Sequence, residues 1–146
     1  MIGVNKLVVG SVLVLTSLVH AESLEERKYW KGQMVRLEQK LSVVVDSCGV
    51  EIPFEYVGKE ALRANAEKEK YSPNVLCGYV VAEVGSQCLD GEKRKAAVAK
   101  KVKAMQCTWA PKRSITVKNG IVLLKGNGHE FSGLAGFVRD ELKKKL

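Results

Sequence analysis

Histidine is nearly missing from this chain. Only His20 and His129 occur, and His20 lies in an N-terminal stretch expected to be removed. A serine or cysteine nucleophile needs a base within reach, usually histidine. Such chemistry is therefore confined to one loop, Gly126-Asn127-Gly128-His129-Glu130. No two of the four cysteines are close enough for the usual zinc pairing, and no Cys-x-x-Cys is present to lower a thiol pKa. No metal and no other cofactor is expected. Apolar runs are short as well. The longest, residues 7–18, falls below the ~20 residues that a membrane span needs. There is no internal repeat and no low-complexity tract.

That apolar run has the length of a signal-peptide core. Lys6 supplies a positive charge before it, Val19-His20-Ala21 offers a small-residue cleavage site, and Glu22-Ser23 opens a polar region. A membrane anchor is the alternative, disfavoured by length. The absence of a cysteine after Ala21 argues against a lipid anchor. Residues 1–21 are read as a signal peptide cleaved after Ala21, and residues 22–146 as a single exported domain, secreted or periplasmic. Cys48, Cys77, Cys88 and Cys107 all lie in the mature part. An even count in an exported chain predicts two disulfides.

Residues 72–88 organise the rest. Ser72 is a good N-cap residue and Pro73 suits the first helical position, where its missing N–H would be unpaired anyway. Cys77, Val80, Val81, Val84 and Cys88 then fall on one helical stripe. Gly78 and Gly85 would let another backbone approach closely. In one helix, Cys77 and Cys88 are about 16 Å apart, whereas bonded cysteines keep their Cα atoms within about 7 Å. A Cys77–Cys88 bond is excluded, and Cys48–Cys107 with it. Cys48–Cys77 with Cys88–Cys107 is preferred because both loops are short; Cys48–Cys88 with Cys77–Cys107 is the alternative.

Before this stretch, Ser23 and Glu26 form a capping box. Trp30, Met34, Leu37, Leu41 and Val44 continue as a helical stripe that Gly49 ends. Residues 50–57 alternate as an edge strand interrupted by Pro53, and residues 59–70 read as a weakly anchored surface helix or a linker. After it, Asp90 can cap a basic helix over residues 91–105 with a thin seam of Val98, Val102 and Met105. A strand at about residues 105–110 follows. Two β-rich runs around Asn119-Gly120 predict a hairpin on a type I′ turn. Ser132 begins a last helix carrying Leu134, Phe137, Val138 and Leu142. The fold class is α+β: a small antiparallel meander at about residues 105–125 packed against several helices.

The functional candidates are few. Glu51 and Glu55 flank Pro53 as a carboxylate pair of the kind used in glycoside hydrolysis, although exposed charges on an edge strand are far commoner. The His129/Glu130 loop is the one place for a small hydrolase-type site. The remaining signal is charge. The chain carries +8, and removal of Lys6 leaves +7. Lys93, Arg94, Lys95, Lys100, Lys101 and Lys103 crowd one segment, followed by Lys112-Arg113 and residues 143–145. The plain reading of such a surplus is a solvated, solubilising face. The functional reading is a non-enzymatic binding or accessory domain that engages an anionic envelope component or an acidic protein. Nucleic acid is not expected, because no aromatic residues interleave the basic helix. A structural envelope protein without a ligand is the third possibility.

Overall fold

The computed structural model describes residues 22–146, so the proposed signal peptide lies outside the described residues. Two compact units divide the chain after Gly32. Helix α1 (Leu24–Cys48) begins in the first. There the Ser23 hydroxyl accepts the Glu26 backbone N–H at 3.1 Å, as the capping box requires. The Tyr29 and Trp30 rings meet edge to face at 5.0 Å.

The second unit, residues 33–146, holds the other elements. They are β1 (Phe54–Tyr56), α2 (Lys59–Glu69), α3 (Pro73–Cys88), α4 (Glu92–Lys101), β2 (Ala104–Trp109), β3 (Ser114–Lys118), β4 (Ile121–Gly126) and α5 (Leu134–Lys145). A 3₁₀ turn, Gly128–Glu130, links β4 to α5. The α+β class holds. Among the described residues no helix is long and apolar enough to cross a membrane.

Helix α3 is the centre of this unit. Leu76, Cys77, Val80, Val81 and Val84 are fully buried, and Cys88 nearly so. From Gln33 on, α1 lies along α3 in the same direction. Gln33 meets Asn74, Lys40 lies over Gly78, Val44 lies against Gly85, and Cys48 bonds Cys88. A Cβ on Gly85 would sit 3.4 Å from Val44 Cγ2 and 3.8 Å from its Cα, so Gly85 admits the α1 backbone, whereas only the Lys40 side chain lies over Gly78.

This parallel register decides the disulfides. They are Cys48–Cys88 and Cys77–Cys107, with no free cysteine. The preferred pairing of sequence neighbours is not formed. Cys48 reaches the end of α3, about 16 Å from the turn that holds Cys77. Loop length was a poor guide because closure entropy grows only slowly with it.

The sheet also departs from expectation. Its order is β1-β2-β4-β3. β2 pairs in parallel with both β1 and β4, and only β3 and β4 are antiparallel. The hairpin exists: Asn119 and Gly120 both have positive φ, 53° and 80°. It is not a meander with β2, because β3 passes to the outer edge and β4 inserts between β2 and β3. The composition fits that placement. Ile121-Val122-Leu123-Leu124 is a continuous apolar run suited to a central strand, whereas β3 fully buries only Ile115. Phe54, Met105 and Val122 form one buried row, and Tyr56, Cys107, Leu124 and Ile115 the next. The Cys107 bond to Cys77 ties this face to α3.

Two helices differ in detail. α2 is firmly held rather than weakly anchored, with Leu62 and Ala66 fully buried. α4 stops at Lys101, four residues early, because Val102 is already extended and Met105 belongs to β2. Gly91, not Asp90, takes its N-cap position.

Candidate functional site

Arg94, Val98 and Lys101 fall on one stripe of α4, at i, i+4 and i+7, with Lys101 exposed at its end. Val98 is fully buried. Arg94 is half-buried; its Nε donates to Gln87 Oε1 at 3.0 Å, its Nη2 donates to the same oxygen, and Nη2 also reaches the Leu142 carbonyl at 3.3 Å. Lys101 Nζ donates to the Leu146 oxygen at 2.7 Å. Two cations of α4 thus reach backbone oxygens at the end of α5, where the macrodipole is negative; the Leu142 carbonyl also accepts the Leu146 N–H.

The six predicted basic residues therefore divide. Arg94 and Lys101 fasten α4 to α5. Lys95 is half-buried, its stem lying beside Gly49. Lys103 is exposed but stands on the link to β2, its stem over Gly120. Lys93 and Lys100, seven apart, point to solvent from the helix itself. Among the described residues, no ion pair is formed by Lys93, Lys95, Lys100 or Lys103.

Fastening α4 to α5 brings in cations that composition alone left separate. Lys143, Lys144 and Lys145, in the last turn of α5, are all exposed. Lys144 and Lys145 hold Glu141 at 3.4 and 3.2 Å, and their hydrogen bonds, Lys145's first, lower its pKa. Arg139 makes two bonds, 3.1 and 3.0 Å, to the buried Glu83 of α3, and this pairing raises its pKa. Arg139 and Lys143 also line a cleft of about 240 Å³ against the end of α3. The contacts of Arg94 and Lys101 with the end of α5 were not legible in the sequence.

His129 and Glu130 part company. Glu130 Oε1 accepts the Asn127 amide at 2.8 Å and the Arg113 backbone N–H at 2.9 Å. The Asn127 bond foremost, then Arg113, holds its carboxyl below the usual range. His129 instead lines a cavity of about 380 Å³ with Asn65, Lys68, Glu69, Trp109, Pro111 and Asn127. The carboxylate beside it is Glu69, which accepts Trp109 Nε1–H at 2.9 Å and the Gly128 N–H at 2.7 Å. Glu55 is exposed on the edge strand β1, and Glu51 is exposed in the segment before it. Among the described residues no group of three potential ligands could hold a metal ion.

Comparison of this chain with protein-family models, with curated proteins and with solved structures finds no match, so the geometry alone carries the functional reading.

Proposed function

We propose that this is an exported, non-enzymatic binding domain that engages an anionic envelope component through the surface shared by α4 and the end of α5. The observation that carries this is the pair of contacts from Arg94 to Leu142 and from Lys101 to Leu146. They turn two lysine clusters, some forty residues apart, into one cationic surface. Both helices rest on α3, which two disulfides fix at its ends. A surface that is ordered before the partner arrives loses little entropy on binding. Export rests on the N-terminal sequence and on the disulfides, which persist in oxidising compartments.

A hydrolase reading is less well supported. Glu69 and Glu130 both spend their carboxylates on structural hydrogen bonds, and neither orients the His129 ring.

The test is charge reversal within and outside the surface. Lys100→Glu/Lys143→Glu should weaken binding to vesicles containing phosphatidylglycerol by more than tenfold, since a basic residue near such a surface contributes about 1 kcal/mol. Lys112→Glu/Lys125→Glu makes the same change in net charge elsewhere and should leave most binding intact. Equal weakening by both pairs would mean that only net charge matters, and would sink the proposal. So would binding that does not fall with added salt.

A further inference from the structure

The His129 cavity stands at a particular place in the fold. β1, β2 and β4 are mutually parallel neighbours, so their carboxyl ends emerge on one edge of the sheet. The segment after each one builds a wall. α2, which follows β1, supplies Asn65 and Lys68. The end of β2 supplies Trp109 and Pro111, and the turn after β4 supplies His129. The crevice beyond the carboxyl ends of parallel strands is where open sheets bind their ligands, because the chain segments diverge there.

The walls are fixed before any ligand enters. Glu69 holds the Trp109 indole N–H and the Gly128 N–H together, which sets the ring plane and the position of the turn. Asn127, only 3 % exposed, donates to the Ala110 carbonyl at 3.0 Å and accepts the His129 N–H at 3.0 Å. Gly128 is packed so tightly that an added Cβ would come within 2.8 Å of the Tyr71 ring.

What the cavity offers is an apolar plate, a cation, hydrogen-bonding groups and the Glu69 carboxylate, whose two oxygens are occupied by the Trp109 and Gly128 N–H groups. Trp109 and Pro111 give flat carbon surface. Lys68 is exposed on α2 and forms no ion pair among the described residues. The Asn65 amide N–H₂ is spent on the Ala61 carbonyl at 2.8 Å, which leaves its oxygen to accept. The His129 side chain is exposed at the turn. A ring with a C–H face, hydroxyl groups and one negative charge matches all of these at once: the C–H face on the indole, the hydroxyls on Asn65 and His129, the charge at Lys68.

We infer that this cavity binds a pyranose ring bearing a carboxylate, as a single acidic residue of a glycan. The site is separate from the α4–α5 surface and stands whether or not that surface binds a polyanion.

The test follows the Trp109 indole N–H by NMR. The chain has two tryptophans, Trp30 and Trp109, and Trp109→Phe assigns the signal. If that variant does not fold, sequential connection through Thr108 and Ala110 assigns it in the wild type. Glucuronate should shift the signal saturably with a Kd of about 1 mM, and glucose should bind about tenfold more weakly. Lys68→Ala should bring glucuronate down to the level of glucose. Lys100→Glu/Lys143→Glu should leave the titration unchanged. The inference is overturned by the absence of a saturable shift at 50-fold that concentration, by equal affinity for glucose, by benzoate binding as tightly as glucuronate, or by loss of binding in the Lys100/Lys143 variant.

Discussion

The side-chain oxygen of Gln33 accepts the backbone N–H of Asn74 at 2.9 Å, so helix α1 supplies the N-terminal cap of helix α3. Ser72 occupies the N-cap position with extended backbone, φ −99° and ψ 140°, but its hydroxyl makes no cap hydrogen bond. The same Gln33 takes the Tyr56 hydroxyl on its backbone carbonyl at 3.0 Å. One residue thus connects α1, β1 and the start of the central helix. Gln33→Ala should destabilise by about 1–2 kcal/mol, since a buried helix-end donor loses its partner. Ser72→Ala should stay within about 0.5 kcal/mol. Urea midpoints at constant m-value measure both.

Gly85 gives a second stability prediction. An interior helix glycine costs about 1 kcal/mol relative to alanine. A Cβ here would touch Val44 at 3.4 Å. That is an ordinary van der Waals distance, so Gly85→Ala should stabilise by up to about 1 kcal/mol. Gly85→Leu has no room and should destabilise by about 1–3 kcal/mol, with the disulfides kept intact.

Arg94 and Lys93 are neighbours with opposite roles. Arg94→Ala leaves the buried Gln87 oxygen short of its donor, while the Leu142 carbonyl keeps the Leu146 N–H. It should lower stability by about 1–3 kcal/mol. Lys93→Ala removes an exposed cation. It should leave the thermal midpoint unchanged and weaken retention on anionic vesicles. A midpoint drop of equal size in both variants would contradict this division of roles.

Glu130 predicts a pH dependence. Its hydrogen bonds from Asn127 and Arg113 lower the folded pKa below that of the unfolded chain, about 4.3. A depressed carboxylate pKa adds stability that is complete above the unfolded value and is lost as pH falls through the folded one. The stability gap between wild type and Glu130→Gln should therefore be constant near neutrality and close at acid pH. Denaturation curves from pH 7 to 3 read it directly. A gap that widens toward acid has the wrong sign for this account.

Much of the architecture was legible where local chemistry decides. The capping box at Ser23, the stop at Gly49, the Asn119-Gly120 turn and the buried stripe of α3 depend on short-range geometry, and each stands as expected. Strand order and cysteine partners were not legible, because both depend on the direction in which distant segments meet. The apolar run 121–124 carried the signal for a central strand but also fits a hairpin arm. For the candidate site, the basic residues were visible, whereas their sorting into fasteners and exposed cations was not. Arg94 and Lys93 look alike until Gln87 and Leu142 are placed beside one of them. The cavity was invisible beyond His129, since an antiparallel meander has no shared carboxyl edge.

The central claim is that α3 is stapled at both ends, to a parallel α1 through Cys88 and to the sheet through Cys77. Peptide mapping of unreduced protein tests it most directly. Proteolysis should yield one fragment linking Cys48 to Cys88 and another linking Cys77 to Cys107, with no free thiol on titration in denaturant. Recovery of Cys48 linked to Cys77 and Cys88 linked to Cys107 would contradict the parallel register of α1 and α3, and with it the placement of α4 and α5 around them.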